Sequence, residues 1–351
     1  MSLPDSQRLP QFLDLMTERG WDRLLFYGNV WRKDFFRYLL NVNFSGPWAI
    51  ASLERSGEIT GIFSDPWDAE LLPDVGRAIL PAAGFPAGSV AVAGLELMDA
   101  GLVESLALDP VSATAEIEEM RRVKSLGEIE CLRRAAALAD RGYEYFAQII
   151  EPRMAEYELV AEVEGFLKSN GAEDNFMLIA SGGTEVMGMR PPTQRQFKEG
   201  DQVTTELTPQ IGGYYAQICR TLVLGEPSAE QRQAFAIFSE ARKAAEDLLK
   251  PGVDIADVAR AQNDVFREHG YGEYTGAKYT RVRGHNLGLY PDETPYVLED
   301  VHYTVKPGMA IIAHPNTYLP LSGYMVFGDT LLVTETGCEP LNRAERKLFQ
   351  K

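Results

Sequence analysis

Three phrases near the C-terminal end carry the reading of this chain: Gly284-His285-Asn286-Leu287-Gly288-Leu289, then Pro307-Gly308-Met309 running on to Ala313-His314-Pro315-Asn316, then Gly328-Asp329-Thr330-Leu331-Leu332-Val333-Thr334. A fourth lies upstream, where Gly212-Gly213-Tyr214-Tyr215-Ala216-Gln217 runs into Arg220-Thr221. Residues 203–207, 214–224, 309–314 and 329–334 are β-branched or aromatic enough to read as strands of a central sheet. Side chains alternate between the two faces along a strand. Glu206, Gln217 and His314 therefore share one pocket only if register and sheet geometry bring them together. Taken alone, His285 reads as a core histidine beside a glycine turn, and His314 as a strand residue ahead of a proline bend.

Upstream of these strands the sequence repeats itself. A helix ending at Pro152 and a second ending at Gly171 are echoed by a helix ending at Pro251 and another ending at Gly270. The offset is the same for both markers (251 − 152 = 99 and 270 − 171 = 99). Glycine suits the left-handed residue that closes a helix. Ser125 with Glu128, and Ser228 with Gln231, each have the spacing of a capping box. Two helices followed by strand-rich sequence, given twice, predict a pseudo-symmetric α+β domain over 125–351 with its sheet between the halves.

Residues 1–120 form a separate, smaller α/β unit. Segment 12–19 is amphipathic and stops at Gly20. Strands are expected at 22–27, closed by Gly28-Asn29, at 48–53 and 59–63 as a pair, and at 89–93, with a helix over 68–80.

The chain has 351 residues, 45% hydrophobic and 24% charged, ordinary values for a globular protein. Its formal net charge of −17 argues against a phosphate backbone as partner, since that contact needs clustered Lys and Arg. Three cysteines, Cys131, Cys219 and Cys338, are widely spaced and odd in number. They read as buried, inert thiols in a reducing cytoplasm rather than a disulfide framework. No secretion signal and no membrane span is expected.

The ordered phrases resemble the pita-bread hydrolases, the family of methionine aminopeptidase, aminopeptidase P, prolidase and creatinase. The likeness covers roughly the last two thirds of the chain, and residues 1–120 are similar to the domain that precedes the pita-bread domain in prolidase and creatinase. The resemblance implies a hydrolase that works on a small-molecule or short-peptide substrate, and a homodimer, for which segment 31–48 offers aromatic surface. In the metal-dependent relatives, two metals sit among two aspartates, one histidine and two glutamates. Those positions match Glu206, Gln217, His285, His314 and Gly328. Only one carboxylate remains in that set, and two close dications would repel each other there. No dinuclear centre and no other cofactor is therefore expected. One divalent ion on His285, His314 and Glu206 stays open, since two imidazoles and a carboxylate form a known zinc set.

The relatives also carry two assisting histidines, at positions that match Met189 and Asp292. Creatinase, the metal-free member, uses the first as its acid/base, and it holds its guanidinium substrate with carboxylates at positions matching Cys219 and His314. Hydrolysis of creatine by that route is not expected. The candidate catalytic residues are His285, His314 and Glu206. Candidate substrate contacts are Gln217, Tyr215, Arg190, Asp292, Glu293 and Tyr324. Arg220 is expected to anchor a strand or to pair with Glu206. His269 reads as a helix cap and His302 as a surface residue. The reaction expected is cleavage of a C–N bond in a small amide, amidine or amino-acid derivative. The alternatives are a mononuclear Xaa-Pro-type peptidase and a non-catalytic module that binds a peptide or metabolite.

Overall fold

A computed structural model describes residues 8–78, 88–105 and 109–351. The chain divides into two compact units, Met1–Arg121 and Arg122–Lys351.

The first unit is built on a six-stranded sheet. Its strands are β1 (Arg23–Asn29), β2 (Trp48–Glu54), β3 (Ile59–Phe63), β4 (Gly76–Ala78), β5 (Val90–Ala93) and β6 (Val111–Ser112), in the order β4-β3-β2-β1-β5-β6. The helix Arg8–Arg19 ends at Gly20, whose φ of +71° suits a residue without Cβ. Gly28 does not close β1; it pairs with Ala49 inside the ladder. A Cβ there would sit 2.9 Å from the Phe36 Cβ, so the glycine serves close packing rather than a turn. The helix expected over 68–80 is also corrected. It stops after Pro66–Ala69, and the chain turns into β4. Pro73 explains this, because it supplies no N–H and biases Leu72 away from helical backbone. The rest of that expected helix lies outside the described residues.

The second unit follows the predicted repeat. The helices Leu126–Ile149 and Glu156–Ser169 are answered by Ala229–Leu248 and Ile255–Glu268. Gly171 and Gly270 have φ of +95° and +82°. Both capping boxes form, with the Ser125 N–H 2.7 Å from Glu128 Oε2 and the Ser228 N–H 2.9 Å from Gln231 Oε1.

The strands of this unit are β7 (Asp174–Gly182), β8 (Gln202–Ile211), β9 (Tyr214–Tyr215), β10 (Ile218–Val223), β11 (Gly284–Asn286), β12 (Glu293–Tyr296), β13 (Ala310–Ala313), β14 (Asn316–Leu319), β15 (Gly323–Val326), β16 (Gly328–Val333), β17 (Cys338–Pro340) and β18 (Phe349–Gln350). The main sheet runs β12-β11-β13-β16-β10-β8-β7, while β14 and β15 pair apart. The single strand expected over 214–224 is broken at Ala216-Gln217. There both backbone groups of Gln217 turn to the Thr330 hydroxyl, at 2.9 and 2.8 Å.

Alternation sorts the two faces of this sheet. Ile311, Ala313, Leu331 and Val333 pack with Ala245, Leu249, Ile255 and Val258 of the second helix pair. Each fully buried aliphatic side chain of this kind contributes roughly 1.5–3 kcal/mol. Ile312 points the other way and joins Cys219, Leu287, Tyr324 and Val326. The candidate site sits on that second face.

Candidate active site

His285 owes its place to the glycine before it. A Cβ at Gly284 would lie 2.1 Å from the Ile312 carbonyl, so only glycine lets β11 approach β13 this closely. His285 then stands opposite Ile312 in the ladder. His314 follows Ile312 by two residues, and its ring meets that of His285 edge-on, with centroids 5.3 Å apart at 66°. The two candidate histidines are thus neighbours.

Their surroundings fix their protonation. His285 Nδ1 lies 3.0 Å from the Asn286 carbonyl and 3.5 Å from Asp292 Oδ1. A carbonyl only accepts, so in the neutral ring Nδ1 carries the proton and Nε2 the lone pair. Burial lowers the His285 pKa, against the opposing pull of Asp292. Burial, reinforced by His285, pushes His314 down to about 3. His314 Nδ1 is buried and makes no hydrogen bond among the described residues.

Glu206 comes from β8, opposite Cys219 of β10. Burial and then the charge of Asp292 push its carboxyl up to about 7. It makes no hydrogen bond or ion pair among the described residues. The field of Asp292 thus acts on both Glu206 and His285. Tyr324 closes the same cluster from β15, and burial together with Glu206 keeps its hydroxyl protonated.

The remaining candidates divide. Gln217 is buried with its Nε2 3.3 Å from Cys219 Sγ, which places Cys219, the position matched to a substrate-holding carboxylate of creatinase, beside the candidate set. Burial and Glu206 raise that thiol far above its usual range, so it stays neutral. Asp292 is half-exposed. The carboxylate of Glu293 takes Lys124 Nζ at 3.1 Å and the Tyr290 N–H at 3.3 Å, which holds the loop that carries Asp292. The Tyr215 hydroxyl donates to Asp174 at 2.9 Å. Arg190 is exposed, and its backbone bridges Ile179. Met189 packs against the Cys219–Tyr324 cluster. His269 caps its helix and contacts Glu240, and exposed His302 contacts Asp254.

Arg220 does not pair with Glu206. It is fully buried and pairs with Asp329 at 2.6 Å, with its other donors on the Gly328, Cys219, Ala344 and Glu345 carbonyls. Alternation along β10 explains the correction, since Cys219 takes the Glu206 side and Arg220 the other.

The donor set can be tested against a metal centre. Among the described residues, no three His, Cys, Asp or Glu side chains gather as ligands. Asp329 gives one oxygen to Arg220 and the other to Arg346. Gly328 offers no donor, and a Cβ there would lie 2.6 Å from the His314 Cβ. The residues present do not fit a two-metal site, and His285, His314 and Glu206 do not form a three-ligand one.

Comparison with known proteins supplies the kinship. Residues 130–335 match the family described as Metallopeptidase family M24. The Xaa-Pro dipeptidase of Pyrococcus furiosus is 32% identical over 235 residues, 66% of this chain and 66% of that protein. The probable dipeptidase PepE of Mycobacterium tuberculosis is 30% identical over 250 residues, 71% of this chain and 66% of that protein. The alignments thus span just under two thirds of each relative. Among solved structures, the prolidase from Pyrococcus horikoshii superposes with a TM-score of 0.83 at 24% identity, covering 98% of this chain and 100% of that one. The X-Pro aminopeptidase from Thermotoga maritima gives 0.85 at 22%, covering 98% and 99%. These likenesses establish the prolidase-like fold, a small α/β domain ahead of a pita-bread domain.

Proposed function

The chain belongs to metallopeptidase family M24, and from that premise we propose that it is a hydrolase of an amide-type C–N bond in a dipeptide or similarly small amino-acid derivative, acting without a dinuclear metal centre. One observation carries the reading. Two edge-on histidines and an unpaired, buried glutamate lie on one face of the sheet, and Glu206 stays protonated up to about pH 7.

Each residue has a role that its surroundings support. His285, neutral and proton-bearing at Nδ1, uses Nε2 to take a proton from water as the water attacks the carbonyl carbon. Asp292 and the Asn286 carbonyl stabilise the imidazolium that forms. Glu206, in its acid form, gives its proton to the departing nitrogen as the C–N bond breaks. Water then carries the His285 proton back to Glu206, which restores both groups. His314 remains neutral and excludes water from one side of His285. Both active forms coexist only below about pH 7 and above the lowered pKa of His285. Activity should therefore decline as pH rises through about 7.

The dipeptidases among the relatives put Xaa-Pro dipeptides at the head of the substrate panel, followed by other dipeptides and amino-acid amides. The test is turnover of that panel with and without manganese, beside metal stoichiometry by elemental analysis. Metal-independent turnover that is lost in Glu206→Gln and His285→Ala supports the proposal. Two ions per chain with manganese-stimulated turnover would overturn its metal-free part. No turnover of any member would leave a binding module and overturn the hydrolase reading. Tight dimerisation is a second part of the proposal; the exposed Trp31 supplies apolar surface in the first unit, and light scattering measures the mass.

A further inference from the structure

A cavity of about 260 Å³ opens beside the candidate site, lined by Glu156, Ser181, Glu185, Val186, Arg190 and Arg195 among others. That volume is below the range of drug-sized ligand pockets and suits a group the size of one amino-acid residue.

Its charges are mostly spoken for. The Glu156 carboxylate accepts from the Ser181 hydroxyl at 2.5 Å and from the Thr193 N–H and hydroxyl at 3.0 and 2.7 Å. Arg195 makes a two-pronged pair with Asp201, at 2.7 and 2.9 Å. Glu185 takes the Gly183 N–H at 3.1 Å. Of the two lining arginines, Arg190 is the one whose guanidinium has no ion pair or side-chain hydrogen bond among the described residues. The cavity therefore presents one unused set of cationic donors, and a planar guanidinium matches a carboxylate in two-pronged fashion.

The cavity is also tied to the catalytic face. Val186 lines it and packs, with Met189, on the cluster of Cys219, Leu287, Ile312 and Tyr324. The Tyr324 N–H donates to the Val186 carbonyl at 2.8 Å. Ala180, which also lines the cavity, pairs with Thr204, two residues before Glu206 and therefore on the same face of the sheet. Gly323 approaches the loop between cavity and catalytic face closely, since a Cβ there would lie 2.2 Å from the Gly183 carbonyl.

We propose that this cavity is a subsite for the carboxylate-bearing end of the substrate, bound by Arg190, with the scissile bond reaching past Met189 toward Glu206. The proposal rests on the hydrolase reading above and narrows its substrates to small molecules with a free carboxylate.

Calorimetric titration of the full chain with N-acetylglycine and N-acetylglycinamide tests it without any turnover. The acid should bind and its amide should not. Arg190→Gln should weaken the acid by about 10- to 100-fold, the range for a hydrogen-bonded charge pair. Glu185→Gln, which removes a neighbouring negative charge, should tighten it. Equal binding of acid and amide, no binding of either, or an unchanged Arg190→Gln overturns the subsite. In the turnover panel, Arg190→Gln should raise KM for free acids while sparing their amides. Turnover that ignores Arg190 sinks the subsite alone. Acid binding that depends on Arg190, with no turnover anywhere, sinks the hydrolase reading alone.

Discussion

Replacing Glu206 by glutamine should stabilise the second unit, but only at neutral and alkaline pH. The carboxyl is raised from 4.5 to about 7, first by burial and then by Asp292. Below pH 4.5 it is protonated in folded and unfolded chains alike and has no effect on the pH dependence. Between 4.5 and 7 the unfolded chain ionises while the folded one holds its proton, so stability falls as pH rises. Above 7 both are ionised and the penalty is constant. At about 1.4 kcal/mol per pH unit, the penalty reaches roughly 3 kcal/mol. Glutamine mimics the protonated acid and never charges. The variant should match the parent near pH 4 and exceed it by roughly 3 kcal/mol at pH 8. Urea unfolding followed by far-UV circular dichroism reads the helix-rich second unit. All four tryptophans (Trp21, Trp31, Trp48 and Trp67) lie in the first unit, so their fluorescence reports on that unit separately. A gap that stays constant with pH, or a variant less stable at pH 8, would refute the raised carboxyl and its role as proton donor.

Four further outcomes follow from contacts in the same unit. His314, held near 3 by burial and by His285, should show no titration of its ring proton between pH 8 and 4.5 in NMR spectra. Its neutral burial gives stability that is present above 6.5 and lost as pH falls toward 3, so His314→Leu should flatten acid unfolding across that window. Asp329→Asn strips the counter-charge from buried Arg220 and should cost about 3–5 kcal/mol in urea unfolding of the second unit. Gly328→Ala puts a methyl 2.5 Å from the Ala313 carbonyl and 2.6 Å from the His314 Cβ. It should cost at least about 1–3 kcal/mol and shift the His314 ring resonances, measured by the same two methods.

Much of this architecture is legible in local sequence because its signals are local. The two capping boxes and the closing glycines at 171 and 270 need only a few neighbouring residues, and all are found as read. The helix expected over 68–80 fails where an apolar rhythm was allowed to outweigh Pro73. Other features depend on pairing between distant strands. Whether Arg220 meets Glu206 or Asp329 turns on which face of β10 it occupies, and that follows only from the registers of β8 and β16. The cavity beside Arg190 joins Glu156 of one helix to the run from Ile179 to Arg195, and no motif marks it. Cys219 was legible as buried, and as a site position only through the creatinase resemblance; its place directly opposite Glu206 follows from the register of β8 and β10.

The two faces of the main sheet treat charge in opposite ways. On one, Asp329 is enclosed by Arg220 and Arg346, with Arg242 3.7 Å away, and Arg220 spends its other donors on carbonyls. Such a network satisfies its charges and specifies packing; it has nothing left to offer a ligand. On the other face, among the described residues, Glu206 has no partner and His314 Nδ1 makes no hydrogen bond, and the two rings are held neutral side by side. Unpaired buried polar groups are costly, and natural sequences depart from local rules of satisfaction mainly at functional sites. The cost is concentrated on the face that also abuts the small cavity with its unpaired guanidinium. Stabilisation by Glu206→Gln with loss of turnover would tie that cost to catalysis directly. Stabilisation without loss of turnover would move the chemistry to other residues on the same face.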